Sequence, residues 1–114
     1  MEDCLFCKLA SGRIATDVIY SDEQVIAFRD AKPEAPVHVL IIPRRHIENI
    51  LAAEDADEAL LGHMLVVASR VARQEGVAES GFRLVINCNE DGGQSVGHLH
   101  IHLLGGRKLG WPPG

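Results

Sequence analysis

At 114 residues, 46% of them hydrophobic, the chain is long enough for one hydrophobic core and too short for two, so a single globular domain over 1–114 is expected. A net charge of −5 excludes a general nucleic-acid binder, which needs a clustered excess of Lys and Arg. The acidic start Met-Glu-Asp-Cys has no long apolar run behind it, so no secretory signal, membrane span or membrane partner is expected and the expected location is cytoplasmic.

Leu5 to Ala10, preceded by Glu2 and Asp3 and followed by Ser11-Gly12, reads as a short helix closed by glycine. Asp17–Tyr20 and Val25–Phe28 read as a hairpin turning at Ser21-Asp22-Glu23, and Ala31–Pro36 as a loop. His38–Ile42 is dense enough in apolar residues for a central strand buried on both faces, ending at Pro43. After Arg44-Arg45-His46 the chain is loop-like or briefly helical up to Glu54-Asp55-Ala56-Asp57, whose acidic residues suit a helix start. A long helix then reaches about Glu75, with Gly76 as its stop. Leu61, Met64, Leu65, Ala68, Val71 and Ala72 form its apolar stripe, and His63, Arg70 and Gln74 lie away from it. His63 reads as a solvated surface residue without a role. Phe82–Asn87 is a further strand, Cys88–Gly97 a polar loop, and Arg107–Gly114 a tail containing Trp111-Pro112-Pro113. The sum is an α+β fold, an antiparallel sheet of about five strands with one long and one short helix.

His98, His100 and His102 alternate with Leu99, Ile101 and Leu103, the period of a half-buried strand. All three imidazoles then share one face, neighbours roughly 7 Å apart, with the aliphatic residues in the core behind them. Neutral imidazole is a nucleophile near pH 7, and attack on phosphorus gives an intermediate that water resolves. Flanking imidazoles can hold the phosphate oxygens. His100 has a neighbour on each side and is the expected nucleophile. The preceding Asp91-Gly92-Gly93-Gln94-Ser95 offers glycines for close approach to an anion and the Ser95 hydroxyl, and Asn87 stands at the end of the strand before it. A catalytic zinc on the row is a second reading, stretched because the outer two histidines lie roughly 13 Å apart. Burial as plain core would require hydrogen-bond partners for every ring in a dry interior.

His98-Leu99-His100-Ile101-His102-Leu103-Leu104 resembles the motif of the histidine triad (HIT) hydrolases. Asp91-Gly92-Gly93-Gln94-Ser95-Val96, Leu104-Gly105-Gly106-Arg107 and Trp111-Pro112-Pro113-Gly114 point to their Hint branch. Phe28-Arg29-Asp30 and Pro36–Pro43 extend the resemblance over nearly the whole chain. It implies a homodimer whose sheets join, hydrolysing purine nucleoside phosphoramidates through a nucleotidyl-histidine on His100, with the purine nucleoside monophosphate as product. It places His38 behind the nucleophile, His102 on the phosphate oxygens, and Asn87, Gly93 and Ser95 near phosphate and leaving group. Asp30 falls on the ribose hydroxyls, and Phe6, Leu9, Ile14 and Phe28 on the base pocket. The transferase branch replaces the third histidine by glutamine, so His102 implies hydrolysis. Ala15, Ala31 and Gly97 depart from the family pattern, which has proline, a larger apolar residue and an aromatic there. Base selectivity is therefore the part least constrained by the resemblance, and Gly97 is expected to open the edge of the site.

Three cysteines, two of them as Cys4-x-x-Cys7, suit a reducing compartment and a redox or metal role. In zinc-bearing bacterial members such a pair is completed from the positions of His46 and His98, which implies a structural Cys₂His₂ zinc and no cofactor for catalysis. Unliganded thiols are the alternative, and Cys88 reads as a filler or surface thiol. A zinc-stabilised nucleotide-binding or adaptor module acting through a protein partner is the competing reading of the whole chain, separated from the enzyme by turnover.

Overall fold

In a computed structural model describing residues 3–114, the β-rich runs form a five-stranded antiparallel sheet. The strands are β1 (Val18–Ser21), β2 (Val25–Arg29), β3 (Val37–Pro43), β4 (Phe82–Val85) and β5 (Ile101–Gly105), in the order β1-β2-β3-β5-β4. The helices are α1 (Leu5–Ala10), α2 (Glu58–Gln74) and the single turn α3 (Asn89–Gly92), with 3-10 turns at Ile50–Ala52 and Asp55–Asp57. The expected α+β architecture is thus present; Met1 and Glu2 of the expected acidic start lie outside the described residues. Among those residues, no helix is long and apolar enough to cross a membrane.

Strand alternation sorts the side chains into two layers. Val25, Ala27, Val39, Ile41, Ile101 and Leu103, with Leu99, point to α2 and meet Met64, Val67, Ala68, Val71 and Ala72. The opposite parity, Ile26, Phe28, Leu40 and Ile42, meets Phe6, Leu9 and Ala10 of α1. His38, Asp30 and His102 share that second parity, so the polar residues of interest lie on the face covered only by the six-residue α1. β3 is central and, after Val37, buried throughout, as its composition predicts.

The buried stripe of α2 runs through Val67, whereas Leu65 is 48% exposed and Leu61 only half-buried. The small Ala68 and Ala72 are the reason: they let the helix settle on the sheet along Met64-Val67-Ala68-Val71-Ala72. Leu65 is thereby turned towards the flank beside Ile86. His63 is also not simply solvated. Its Nε2 lies 2.6 Å from Asp22 Oδ2, which accepts from Tyr20 as well, while Asp22 Oδ1 accepts the backbone N–H groups of Gln24 and Val25. These donors outweigh the cost of partial burial and hold the Asp22 carboxyl well below the usual carboxylate range. Arg70 and Gln74, expected away from the sheet, reach Tyr20 and the Ile19 carbonyl, so α2 is stitched to the β1–β2 hairpin.

Only Ile101–Gly105 of the histidine segment pairs as a strand. Beyond the Ile41↔Ile101 pair the facing strand runs into Pro43, which has no N–H to offer, and the Pro43 carbonyl accepts from the His98 side chain instead. Leu99 N–H is satisfied by Ile47 O at 2.6 Å. β4 stops at Val85, opposite His102, two residues short of the expected Asn87. The loop expected over Cys88–Gly97 contains α3, terminated by Gly93 at φ +77°.

Candidate active site

The three histidines share a face yet have three different surroundings. His98 is fully buried, and its Nε2–H donates to the Pro43 carbonyl at 2.8 Å. A carbonyl only accepts, so in the neutral ring Nδ1 keeps its lone pair. Burial is the main reason that His98 is held below the ordinary histidine range.

His100 is 3% exposed, with Nδ1 2.7 Å from the His98 carbonyl. The same logic puts the proton on Nδ1 and the free lone pair of the neutral ring on Nε2. Phe6 stands edge-on to the ring, 5.1 Å between centroids at 89°, and fixes its plane.

His102 completes a relay. Glu34 N–H donates to His38 Nδ1 at 3.0 Å, so His38 carries its proton on Nε2 and donates it to His102 Nδ1 at 2.9 Å. His102 is left with Nε2–H as a donor. Burial, followed by the charges of His100 and His38, pushes His102 down to about 4, so at neutral pH it is an uncharged imidazole in that tautomer. His38 therefore stands behind His102, not behind the expected nucleophile His100. Asp30 Oδ2 lies 3.5 Å from His38 Nε2, and its Oδ1 accepts Lys32 N–H. Asp30, His38 and His102 are close enough to suggest a metal trio. The Glu34 donor, however, commits the His38 Nε2 proton to His102, which makes the trio a hydrogen-bond relay. The row does not gather its three rings at one point: His98 groups with Cys4, Cys7 and His46, and His102 with Asp30 and His38.

His100 and His102 line a cavity of about 360 Å³ with Phe6, Leu9, Phe28 and Asp30, and Ser95 stands at its edge. Three expected members are elsewhere. Ile14 lines an adjoining groove with Val18, Ile26 and Arg44. Asn87 and Gly93 are not on the cavity wall, and the N–H of Gly93 is spent on the Glu90 carbonyl. Gln94 anchors the loop by donating to the carbonyls of Glu48 and Val96, which presents Ser95 and Val96 to the cavity. Sequence reasoning missed Leu5, Ala15, Thr16, Arg29, Leu40 and Val96 on this wall. Leu40 was findable, because it has the parity of His38, and so was Leu5, one helical turn before Leu9; Ala15, Thr16 and Val96 sit in connections where no periodicity applies.

His98 belongs to a second cluster. Cys4 Sγ lies 3.2 Å and Cys7 Sγ 3.5 Å from its Nδ1, and Cys7 Sγ lies 3.3 Å from His46 Nδ1. All four ligand atoms lie within 4.8 Å of one another. The spacings are close to the edges, roughly 3.5 Å, of a tetrahedron with zinc–sulfur and zinc–nitrogen bonds. The lone pair that His98 keeps on Nδ1 points among the sulfurs, and Cys7 N–H donates to Cys4 Sγ at 3.3 Å. Burial, reinforced by Cys4, pushes the Cys7 thiol up to about 11, so metal capture at that sulfur releases a proton. The residues present fit a structural Cys₂His₂ zinc. Cys88 is half-buried and outside this cluster.

Residues 11–109 match the HIT domain family. The chain is 48% identical over 109 residues to the purine nucleoside phosphoramidase of Escherichia coli, covering 96% of this chain and 92% of that protein. It is 52% identical over 113 residues to an uncharacterised HIT-like protein of Synechococcus elongatus, covering 99% and 98% respectively. Its fold superposes on a HIT family hydrolase from Legionella pneumophila with a TM-score of 0.96 at 51% identity, over 98% of this chain and all of that one.

Proposed function

The chain belongs to the HIT family of hydrolases, and from that premise we propose that it hydrolyses purine nucleoside phosphoramidates through a nucleotidyl-histidine on His100. The observation that carries this reading is the bond from His100 Nδ1–H to the His98 carbonyl, which leaves Nε2 as a lone pair in a cavity walled by Phe6, Leu9 and Phe28. The apolar walls hold the purine, and Asp30 Oδ2 accepts from the ribose hydroxyls. His100 Nε2 attacks phosphorus as the phosphorus–nitrogen bond to the amine breaks. The amine departs with the electron pair and takes up a proton from solvent on the Ser95 side of the cavity. Charge on the phosphoryl oxygens is met by His102 Nε2–H, a donor set in advance by His38. Water then attacks phosphorus, breaks the bond to His100, loses a proton to solvent and yields the nucleoside monophosphate.

Cys4, Cys7, His46 and His98 would hold a structural zinc, which would pin α1 to the sheet and supply no step of the reaction. A homodimer is supported by the edge strand β4, which exposes Phe82, with Ile86 next to it and Leu65 beside Ile86, an apolar border suited to an isologous contact.

The test is His100→Ala assayed on adenosine 5′-phosphoramidate. Turnover is expected to vanish while the variant stays folded and binds adenosine monophosphate. A variant that keeps most of its rate defeats the assignment, and absence of turnover in the unaltered protein on several phosphoramidates favours the adaptor reading.

A further inference from the structure

The chemistry above uses nothing of the run Leu104-Gly105-Gly106-Arg107 that follows the last histidine, yet one of its side chains reaches back to the relay. β5 ends at Gly105, and Gly106 reverses the chain at φ +89°, in the left-handed region that glycine adopts without steric cost. The approach is also close. A Cβ on Gly106 would stand 2.9 Å from the Cβ of Pro36. The turn therefore lays the start of the tail against the loop 31–36 and brings Arg107 onto it.

That loop carries Glu34, whose N–H donates to His38 Nδ1 at 3.0 Å. Its stem is tied by Asp30 N–H to the His38 carbonyl at 3.0 Å, and Lys32 N–H turns back to Asp30 Oδ1. Pro33 and Pro36 have no N–H to give. Among the described residues, the one hydrogen bond that reaches residues 31–36 from outside 30–38 is Arg107 Nη2–H to the Glu34 carbonyl, at 3.0 Å. Arg107 and His38 thus hold the same residue from its two ends, one at the carbonyl and one at the N–H. With the carbonyl fixed, the Glu34 N–H stays on the lone pair of His38 Nδ1, and the His38 proton stays on Nε2, where His102 Nδ1 accepts it.

We propose that Arg107 is a positioning residue: by holding the Glu34 carbonyl it keeps the His38–His102 pair in the tautomers that leave His102 an Nε2–H donor for the phosphoryl oxygens. The inference rests on the phosphoramidase reading for its effect on rate, and on the hydrogen bonds alone for its effect on the tautomers. No bond of the reaction is made or broken at Arg107, which acts through Glu34 and His38.

Arg107→Ala and Arg107→Lys test it, with nitrogen-15 shifts of labelled histidines at neutral pH and steady-state kinetics on adenosine 5′-phosphoramidate. In the unaltered protein His38 and His102 are each expected to carry the proton on Nε2. Arg107→Ala should populate the Nδ1–H form of His102 and lower kcat about fivefold, the weight of one hydrogen bond, with KM nearly unchanged. Arg107→Lys, which can still donate to the Glu34 carbonyl, should recover the shifts and most of kcat. Should Arg107→Ala melt too low for spectroscopy, Arg107→Met keeps the aliphatic stem and reads the same shifts. A lower melting temperature with unmoved histidine shifts and unmoved kcat would make Arg107 a structural clamp and overturn the proposal. No turnover by the unaltered protein, with the tautomer change present in Arg107→Ala, defeats the phosphoramidase reading and leaves the positioning of His102 standing.

Discussion

Replacing His38 by alanine tests the relay at its least exposed link. His38 is 6% exposed, and its ring makes two hydrogen bonds, one from Glu34 N–H and one to His102 Nδ1. Each is worth about 1 kcal/mol net, and the cavity left by the ring adds a similar amount, giving a loss of about 3 kcal/mol. For a domain of this length that is a fall in melting temperature of roughly 10–15 °C. The kinetic effect is separate. Without the proton donated by His38, nothing fixes His102 in its Nε2–H tautomer, and losing one phosphate hydrogen bond of about 1.4 kcal/mol slows the chemical step roughly tenfold. Thermal melting, steady-state kinetics on adenosine 5′-phosphoramidate and nitrogen-15 shifts of His102 read the three consequences. A variant with unaltered kcat and an unaltered His102 tautomer would refute the relay, whatever its stability.

Four further outcomes are expected. Purified protein should carry about one zinc per chain by elemental analysis; Cys4→Ser with Cys7→Ser should abolish it and lower the melting temperature, and metal-free protein prepared without chelators would end the proposal. Because His102 titrates near 4 in the native state against an ordinary 6.5, the unfolded chain gains a proton there first as pH falls. Its contribution is complete above pH 6.5 and is lost between 6.5 and 4, so urea midpoints should drop from pH 7 to pH 5; a flat or rising trend counts against it. Asp30→Asn should raise KM severalfold for ribonucleoside substrates and much less for the 2′,3′-dideoxy analogue, with equal effects on both ruling out a ribose role. Leu65→Arg on the apolar border should shift sedimentation from dimer to monomer, and an unchanged profile would place any dimer contact elsewhere.

Period-two alternation carried much of the fold from sequence. It put Leu99, Ile101 and Leu103 behind the imidazoles, while a β-rich run marked Val25–Phe28 and a dense apolar run marked His38–Ile42 as the strands now seen at Val25–Arg29 and Val37–Pro43. It could not show that pairing ends at Ile101, because that depends on the missing N–H of Pro43 across the sheet and on the use of its carbonyl by His98. The α2 stripe was misplaced by one position because Leu65 is more apolar than the alanines that set the packing distance. His63 was misjudged because its partner Asp22 lies 41 residues away and on another element. The spacing of Cys4 and Cys7 suggested a metal; which histidines join them followed from family resemblance, and their nitrogen atoms are visible only in three dimensions. The bond that leaves His100 Nε2 free runs to a backbone carbonyl, to which no side-chain pattern points.

The alternation across 98–103 also bears on how this gene can change. A one-residue insertion or deletion in that segment would turn every following imidazole into the hydrocarbon interior and every leucine into the nucleotide cleft. Selection can therefore exchange residues along the segment singly, while lengths drift in neighbouring loops; within it, an indel forfeits the reaction and the fold together.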